Sequence, residues 1–231
     1  MHRAALVRRA RRGLVELTAF TCVTFGSVAA ADEAPIDQLT AAQVATVRVS
    51  MADVGIPADS QNDLLATLSR GHTIESQISS SIPVSTFQEQ RAGFTRYVSV
   101  FSDGSRRWTE RQNPTPKAEF STQAIDPQSS ECSFSEGWYN NCKIEINDVV
   151  SNASFRIDYT TDKVRDYRGA GCNNSLGSCS VSGGINRETA GPDGPAWAEM
   201  HFEASVGPIA NVANGAFGIR VQDSSESLYG S

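Results

Sequence analysis

The stretch that decides the fold is Phe94-Thr95-Arg96-Tyr97-Val98-Ser99-Val100-Phe101-Ser102-Asp103-Gly104-Ser105-Arg106-Arg107-Trp108-Thr109-Glu110-Arg111. Its first eight residues are rich in aromatic and β-branched side chains, which suit a pleated, half-buried surface. Asp103-Gly104 is a turn signal, because Gly reaches left-handed φ values without steric cost. Arg106 to Arg111 then reads as the returning strand of a hairpin. Alternation puts Phe94, Arg96, Val98 and Val100 on one face and Thr95, Tyr97, Ser99 and Phe101 on the other. Neither row is purely apolar, so the pattern does not say which face is buried.

C-terminal to the hairpin, Asn113-Pro114-Thr115-Pro116 ends the unit and residues 117–131 read as a long loop. Period-two alternation returns at Cys142–Asn147, with Ile144 and Ile146 inward, and at Ala153–Thr160, with Phe155, Ile157 and Tyr159 inward. A short strand is expected near Val181. Trp197–Val206 places Ala198, Met200, Phe202 and Ala204 on one face, and Ala216–Gln222 does the same with Phe217, Ile219 and Val221. The last nine residues read as a frayed end. Many short strands separated by Gly, Asn and Pro predict a mainly β fold, an antiparallel sandwich or open barrel.

N-terminal to the hairpin the pattern is helical. Asp59 and Ser60 are N-cap candidates, and Leu64, Leu65 and Leu68 form an apolar stripe. Gly71 is placed to end the helix in the left-handed conformation. Residues 32–58 are small and polar and read as a mobile lead-in with one weak helix. The expected organisation is therefore a signal peptide (1–31), a helical or mobile N-terminal segment (32–83) and a β-rich domain (84–231).

Three parts of this region resemble a recurrent arrangement in secreted proteins of actinobacteria. They are the helix Asp63-Leu64-Leu65-Ala66-Thr67-Leu68-Ser69-Arg70-Gly71, the step Pro83-Val84-Ser85-Thr86, and Tyr97 through Ser105 with its Asp-Gly-Ser turn. The resemblance covers about a quarter of the chain, and that group carries no assigned activity. It implies export and a β-rich domain, and it brings over no functional residue.

The start of the chain gives the same expectation independently. Arg3, Arg8, Arg9, Arg11 and Arg12 precede a mostly apolar run from Leu14 to Val28, and Val28-Ala29-Ala30-Ala31 supplies small residues for cleavage. This is a secretory pattern, too short and too polar for a stable membrane span. Arg11-Arg12 leaves the general and twin-arginine routes both open. Cleavage after Ala31 would remove five Arg and one Glu from the 20 basic and 26 acidic residues, leaving 15 and 25, a net charge of −10. That balance opposes binding to nucleic acid or to anionic membrane surfaces. Four cysteines remain: Cys132, Cys142, Cys172 and Cys179. An even number in an exported chain predicts disulfides, and local pairing is the simplest of three connectivities. A four-Cys zinc site would need tighter pairs.

Candidate chemistry is sparse. On a strand, Glu199, His201 and Glu203 share one face with Trp197, opposite the apolar row, where two carboxylates could serve an imidazole as acid and base or hold a metal. The same spacing also describes the solvent face of a half-buried strand. A Cys172–Cys179 bridge would close a compact loop, with Asn174 and Leu176 presented as a binding element; a protease-inhibitor loop uses the same physics. Asp158, Asp162, Asp166 and Asn173-Asn174 lack the spacing of a calcium loop. Trp108, Trp138, Tyr139 and Trp197 could offer stacking surfaces to sugar rings. No motif calls for a metal or cofactor. The sequence thus favours a secreted, non-catalytic protein that binds an extracellular protein or glycan. The alternatives are a hydrolase using His201 with Glu199 or Glu203, and a protease inhibitor presenting the 172–179 loop.

Overall fold

A computed structural model describes residues 39–115, 131–206 and 209–230. The expected signal peptide and all but the last residue of the 117–131 loop lie outside the described residues. The chain is mainly β, with two antiparallel sheets. Helices α1 (Ala41–Asp53) and α2 (Ala58–Ser69) precede a 3₁₀ turn, Glu75–Gln77. Strands β1 (Ser85–Arg91), β2 (Phe94–Val100) and β3 (Arg106–Gln112) follow, then β4 (Ser133–Ser135), β5 (Trp138–Asn147), β6 (Ser151–Tyr159) and β7 (Val164–Asn174). The last four are β8 (Cys179–Arg187), β9 (Ala196–Val206), β10 (Ile209–Gln222) and β11 (Ser225–Gly230). The first sheet runs β1-β2-β3-β5-β6-β7, with β4 added on β5, and the second runs β11-β10-β9-β8.

The deciding hairpin forms as read. Val100 pairs with Arg106 and Phe94 with Gln112. Gly104 takes φ +81°, as its turn position demands. The polar residues of that turn have a second task. Glu75 accepts from the Ser102 backbone (2.8 Å) and hydroxyl (2.7 Å), while the Glu75 N–H donates to Asp103 (2.8 Å). The Ser76 N–H donates to the Ser105 hydroxyl at 2.9 Å. The 3₁₀ turn is thereby fastened to the hairpin tip.

Two apolar cores lie on either side of the first sheet. Between the sheets, Ile144, Ile146, Phe155, Ile157 and Tyr159 meet Ala198, Met200, Phe217, Ile219 and Val221. These are the inward rows that alternation predicts. On the outer face of the first sheet, Val98 and Trp108 pack under Val47, Met51, Leu64, Leu65 and Leu68 of the two helices. The face of β2 bearing Val98 is thus buried by helices, which answers the question the hairpin sequence left open. The described residues form three layers: helices, a seven-stranded sheet and a four-stranded sheet.

Three expectations are corrected. The helix read from Asp59 begins at Ala58 with Pro57 as N-cap, whose fixed φ pre-sets the first turn; Asp59 lies inside that turn, where the helix dipole favours a carboxylate. Its C-terminal end closes as expected, with Gly71 at φ +75° and the His72 N–H reaching the Thr67 carbonyl at 3.2 Å. The lead-in holds a full helix, α1, started by a capping box in which Gln43 N–H donates to Thr40 Oγ1 (3.2 Å) and Thr40 N–H to Gln43 Oε1 (2.9 Å). Within the supposed frayed end, Ser225–Gly230 is β11, paired with β10 from Gln222↔Ser225 to Phe217↔Gly230.

Both disulfides pair locally, Cys132–Cys142 and Cys172–Cys179. The second joins the edge of one sheet to the edge of the other, with its Cα atoms 6.1 Å apart. At the far end of the same seam, Val164 N–H donates to the Glu188 carbonyl and Ala190 N–H to the Asp162 carbonyl.

Candidate binding site

Cross-strand register builds one row of interest on the outer face of the first sheet. Trp108 on β3 stands opposite Asn147 on β5, Asn147 opposite Asn152 on β6, and Asn152 opposite Asn173 on β7. Directly opposed residues of an antiparallel ladder share a face. One indole and three primary amides are therefore set side by side across four strands.

Helix α1 lies along this row. Its residues Thr46, Val49, Ser50 and Asp53 recur at helical spacing, a stripe that borders the row beside the buried Val47 and Met51 that pack on the sheet. Between stripe and row is a cleft of about 310 Å³, closed at one end by the β5–β6 turn Asp148-Val149-Val150-Ser151 and bordered by Ser175. That turn is rigid. Asp148 accepts from the Val150 N–H (2.7 Å), the Ser151 N–H (2.9 Å) and the Ser151 hydroxyl (2.7 Å). Burial still pushes its carboxyl above the usual range, against the pull of those bonds and of Arg107.

The floor holds two polar atoms without partners. Trp108 is 7 % exposed, and neither its Nε1 nor Asn147 Nδ2 has a hydrogen-bond partner among the described residues. A buried donor left unsatisfied costs about 1–3 kcal/mol, so such atoms are uncommon unless something else meets them. Below the row lies a charged one, Glu89-Arg96-Glu110-Glu145, again opposed strand by strand. Arg96 donates to Glu110 at 2.9 Å and lies 5.1 Å from the Trp108 ring centroid. Lys143 pairs with Glu145, whose carboxyl is pushed up by burial.

The sequence candidates fall elsewhere. Glu199, His201 and Glu203 lie on the outer face of the second sheet, where His201 is 61 % exposed. Glu199 sits 2.9 Å from His201 and accepts from the Tyr229 hydroxyl at 3.0 Å. Ser182 is the cross-strand neighbour of His201, but no side-chain hydrogen bond joins them among the described residues. Glu203 borders a small hollow of about 130 Å³ beside Ser178, Ser180 and Ser205. Among the described residues no group of three or more His, Cys, Asp or Glu side chains is placed to hold a metal.

The 172–179 loop is closed by its disulfide as expected, but its two candidate residues are structural. Leu176 is 4 % exposed and packs into the core beneath the helices, beside Val149 and Val150. It is not the exposed anchor an inhibitor loop would present. Asn174 spends its amide on the carbonyls of Ser178 (3.1 Å) and Ser205 (2.9 Å) and accepts from the Leu176 N–H (3.0 Å). Asp158 is held by Arg168 at 2.6 Å and by the Asn141 N–H at 2.7 Å. Of the aromatic candidates, Trp138 is covered by Arg165, 3.8 Å from its centroid, and Trp197 lies beside Arg220. Trp108 alone among these tryptophans lines the cleft.

Sequence reading named Trp108 and Asn173 but missed Asn147 and Asn152. A signal was present: Asn is depleted in strands, and these two flank a turn symmetrically at outward positions beside Ile146 and Ala153. No family model, curated protein or solved structure matches the chain. No helix among the described residues is long and apolar enough to cross a membrane.

Proposed function

We propose that this chain is a secreted, non-catalytic binding protein that takes an extracellular ligand in the cleft between α1 and the seven-stranded sheet. The observation that carries the reading is the pair of donors without partners among the described residues, Trp108 Nε1 and Asn147 Nδ2, on the floor of the cleft. A concave site with a few convergent polar groups is the usual form of a ligand pocket. Export is supported by the basic-then-apolar start, by the likeness to exported actinobacterial proteins, and by two disulfides, which persist in oxidising surroundings. His201 lends catalysis no comparable support, because it stands on an open sheet face and not in a cleft.

A fragment screen read by ¹H–¹⁵N spectroscopy tests the proposal. Binding fragments are expected to move the Trp108 indole N–H and the side-chain amides of Asn147 and Asn152. Fragments that gather at the His201 face instead would overturn it. So would turnover of an ester, glycoside or peptide substrate that His201→Ala abolishes.

A further inference from the structure

We infer that the ligand of the cleft is a neutral saccharide, an inference that rests on the cleft being the binding site. The lining is polar but nearly without usable charge. Its two charged residues are both acidic, Asp53 and Asp148, and it contains no Lys or Arg. Two carboxylates and no cation disfavour an anionic ligand. A cationic ligand fares no better. Asp53 is already paired with Arg91 and lies 3.8 Å from Arg96, while Asp148 is enclosed by its own turn.

What remains free is amide and hydroxyl chemistry. Trp108 Nε1 and Asn147 Nδ2 call for acceptors. Asn152 and Asn173 each carry a side chain able to donate and to accept, while Thr46 and Ser50, whose hydroxyls donate to the Ala42 and Thr46 carbonyls, keep the capacity to accept. A sugar hydroxyl does both, so a ring bearing several hydroxyls matches a row of primary amides. Val49, 70 % exposed, supplies an apolar border against which the C–H face of a ring can rest. A volume of about 310 Å³ is at the small end of ligand pockets and suits one or two rings.

A peptide fits less well. Extended peptides bind chiefly by adding a strand to a sheet edge. Here three of the four strands under the row, β3, β5 and β6, lie inside the sheet with ladders paired on both sides, and the fourth, β7, is tied along its edge to β8 by the Cys172–Cys179 bridge.

The test is a titration of the ¹⁵N-labelled protein in three arms. The first uses glucose, mannose, galactose, N-acetylglucosamine and their disaccharides. The second uses glucuronate, and the third short alanine and glycine peptides. At least one neutral sugar is expected to shift the Trp108 indole N–H saturably. Asn152→Ala and Asn173→Ala, at partly exposed positions, should each weaken that binding about tenfold while leaving the unfolding midpoint in place. Shifts at Trp108 with peptides or glucuronate but with no neutral sugar would overturn the saccharide and leave the cleft a binding site. Silence at Trp108 in all three arms would remove both. Sugar binding that both Asn variants leave unchanged would also overturn the inference.

Discussion

At Asn147 a single side chain carries both a stability cost and a proposed role. Its Nδ2 is buried without a partner, so an apolar residue of similar size should relieve the penalty. Asn147→Leu is expected to raise the unfolding free energy of the ligand-free protein by about 1 kcal/mol and to abolish binding in the cleft. Denaturant unfolding and the same titration would read the two effects. Glu145 makes a second prediction at this scale. Burial raises its carboxyl above the ordinary 4.5 in the folded protein, with Lys143 pulling the other way and Glu110 adding to the rise. A raised carboxyl binds its proton more tightly in the folded state than in the unfolded one. Its contribution to stability is therefore fully present below pH 4.5 and lost as pH climbs through the raised value. Unfolding midpoints of Glu145→Gln and the parent, measured from pH 4 to 8, should diverge in favour of the variant as pH increases. A constant gap would contradict the assignment. The site was half legible at this scale. Trp108 stands out in any sequence as a large aromatic, whereas Asn147 and Asn152 gain meaning only when the β5–β6 register sets them face to face.

Among elements, the strands that alternation revealed are those buried by a second layer. β5, β6, β9 and β10 each turn one row into the inter-sheet core, and the apolar period of two follows from that. Of the strands it missed, β1, β7 and β11 are sheet edges and β4 is a three-residue piece paired with β5. β1 reads Ser-Thr-Phe-Gln-Glu-Gln-Arg and is mostly exposed along its length, so no burial imposes a pattern on it. Edge strands tolerate such charged, polar sequences because these discourage pairing with another chain. β11 was hidden for the same reason, although its pairing with β10 is continuous. Its docking depends on Gly218, where an added Cβ would lie 2.1 Å from the Ala198 carbonyl oxygen and 2.7 Å from the Tyr229 hydroxyl. Gly218→Ala is accordingly expected to cost about 1–3 kcal/mol through overpacking. Calorimetry should show a fall of several degrees in Tm, together with loss of the Tyr229–Glu199 hydrogen bond.

At the largest scale, the two sheets stack as a sandwich whose two seams are closed by different chemistry. Along one seam, Arg111 on β3 pairs with Glu226 on β11, and Gly230 lies so close to the Thr109 and Ile146 side chains that an added Cβ would force them to shift. Along the other, β7 and β8 share no ladder of their own, and the Cys172–Cys179 bridge holds them at one end. The Cys132–Cys142 bridge stays within the first sheet, between β5 and the residue preceding β4. The two bridges close loops of similar length, so chain entropy assigns each about 2–3 kcal/mol. Their structural reach differs. Replacing Cys172 and Cys179 by Ser should lower stability by that amount and also reduce amide-exchange protection along β8 and β9, because the edge of the second sheet is then free to part from the first. Replacing Cys132 and Cys142 should lower stability similarly while leaving β8 and β9 protected. Since Asn173 and Ser175 sit directly beside the Cys172 seam and border the cleft, the first variant should weaken ligand binding as well and the second should not. Equal exchange patterns in the two variants would mean that the seam is held by its core side chains alone, with the bridge acting only on the unfolded chain.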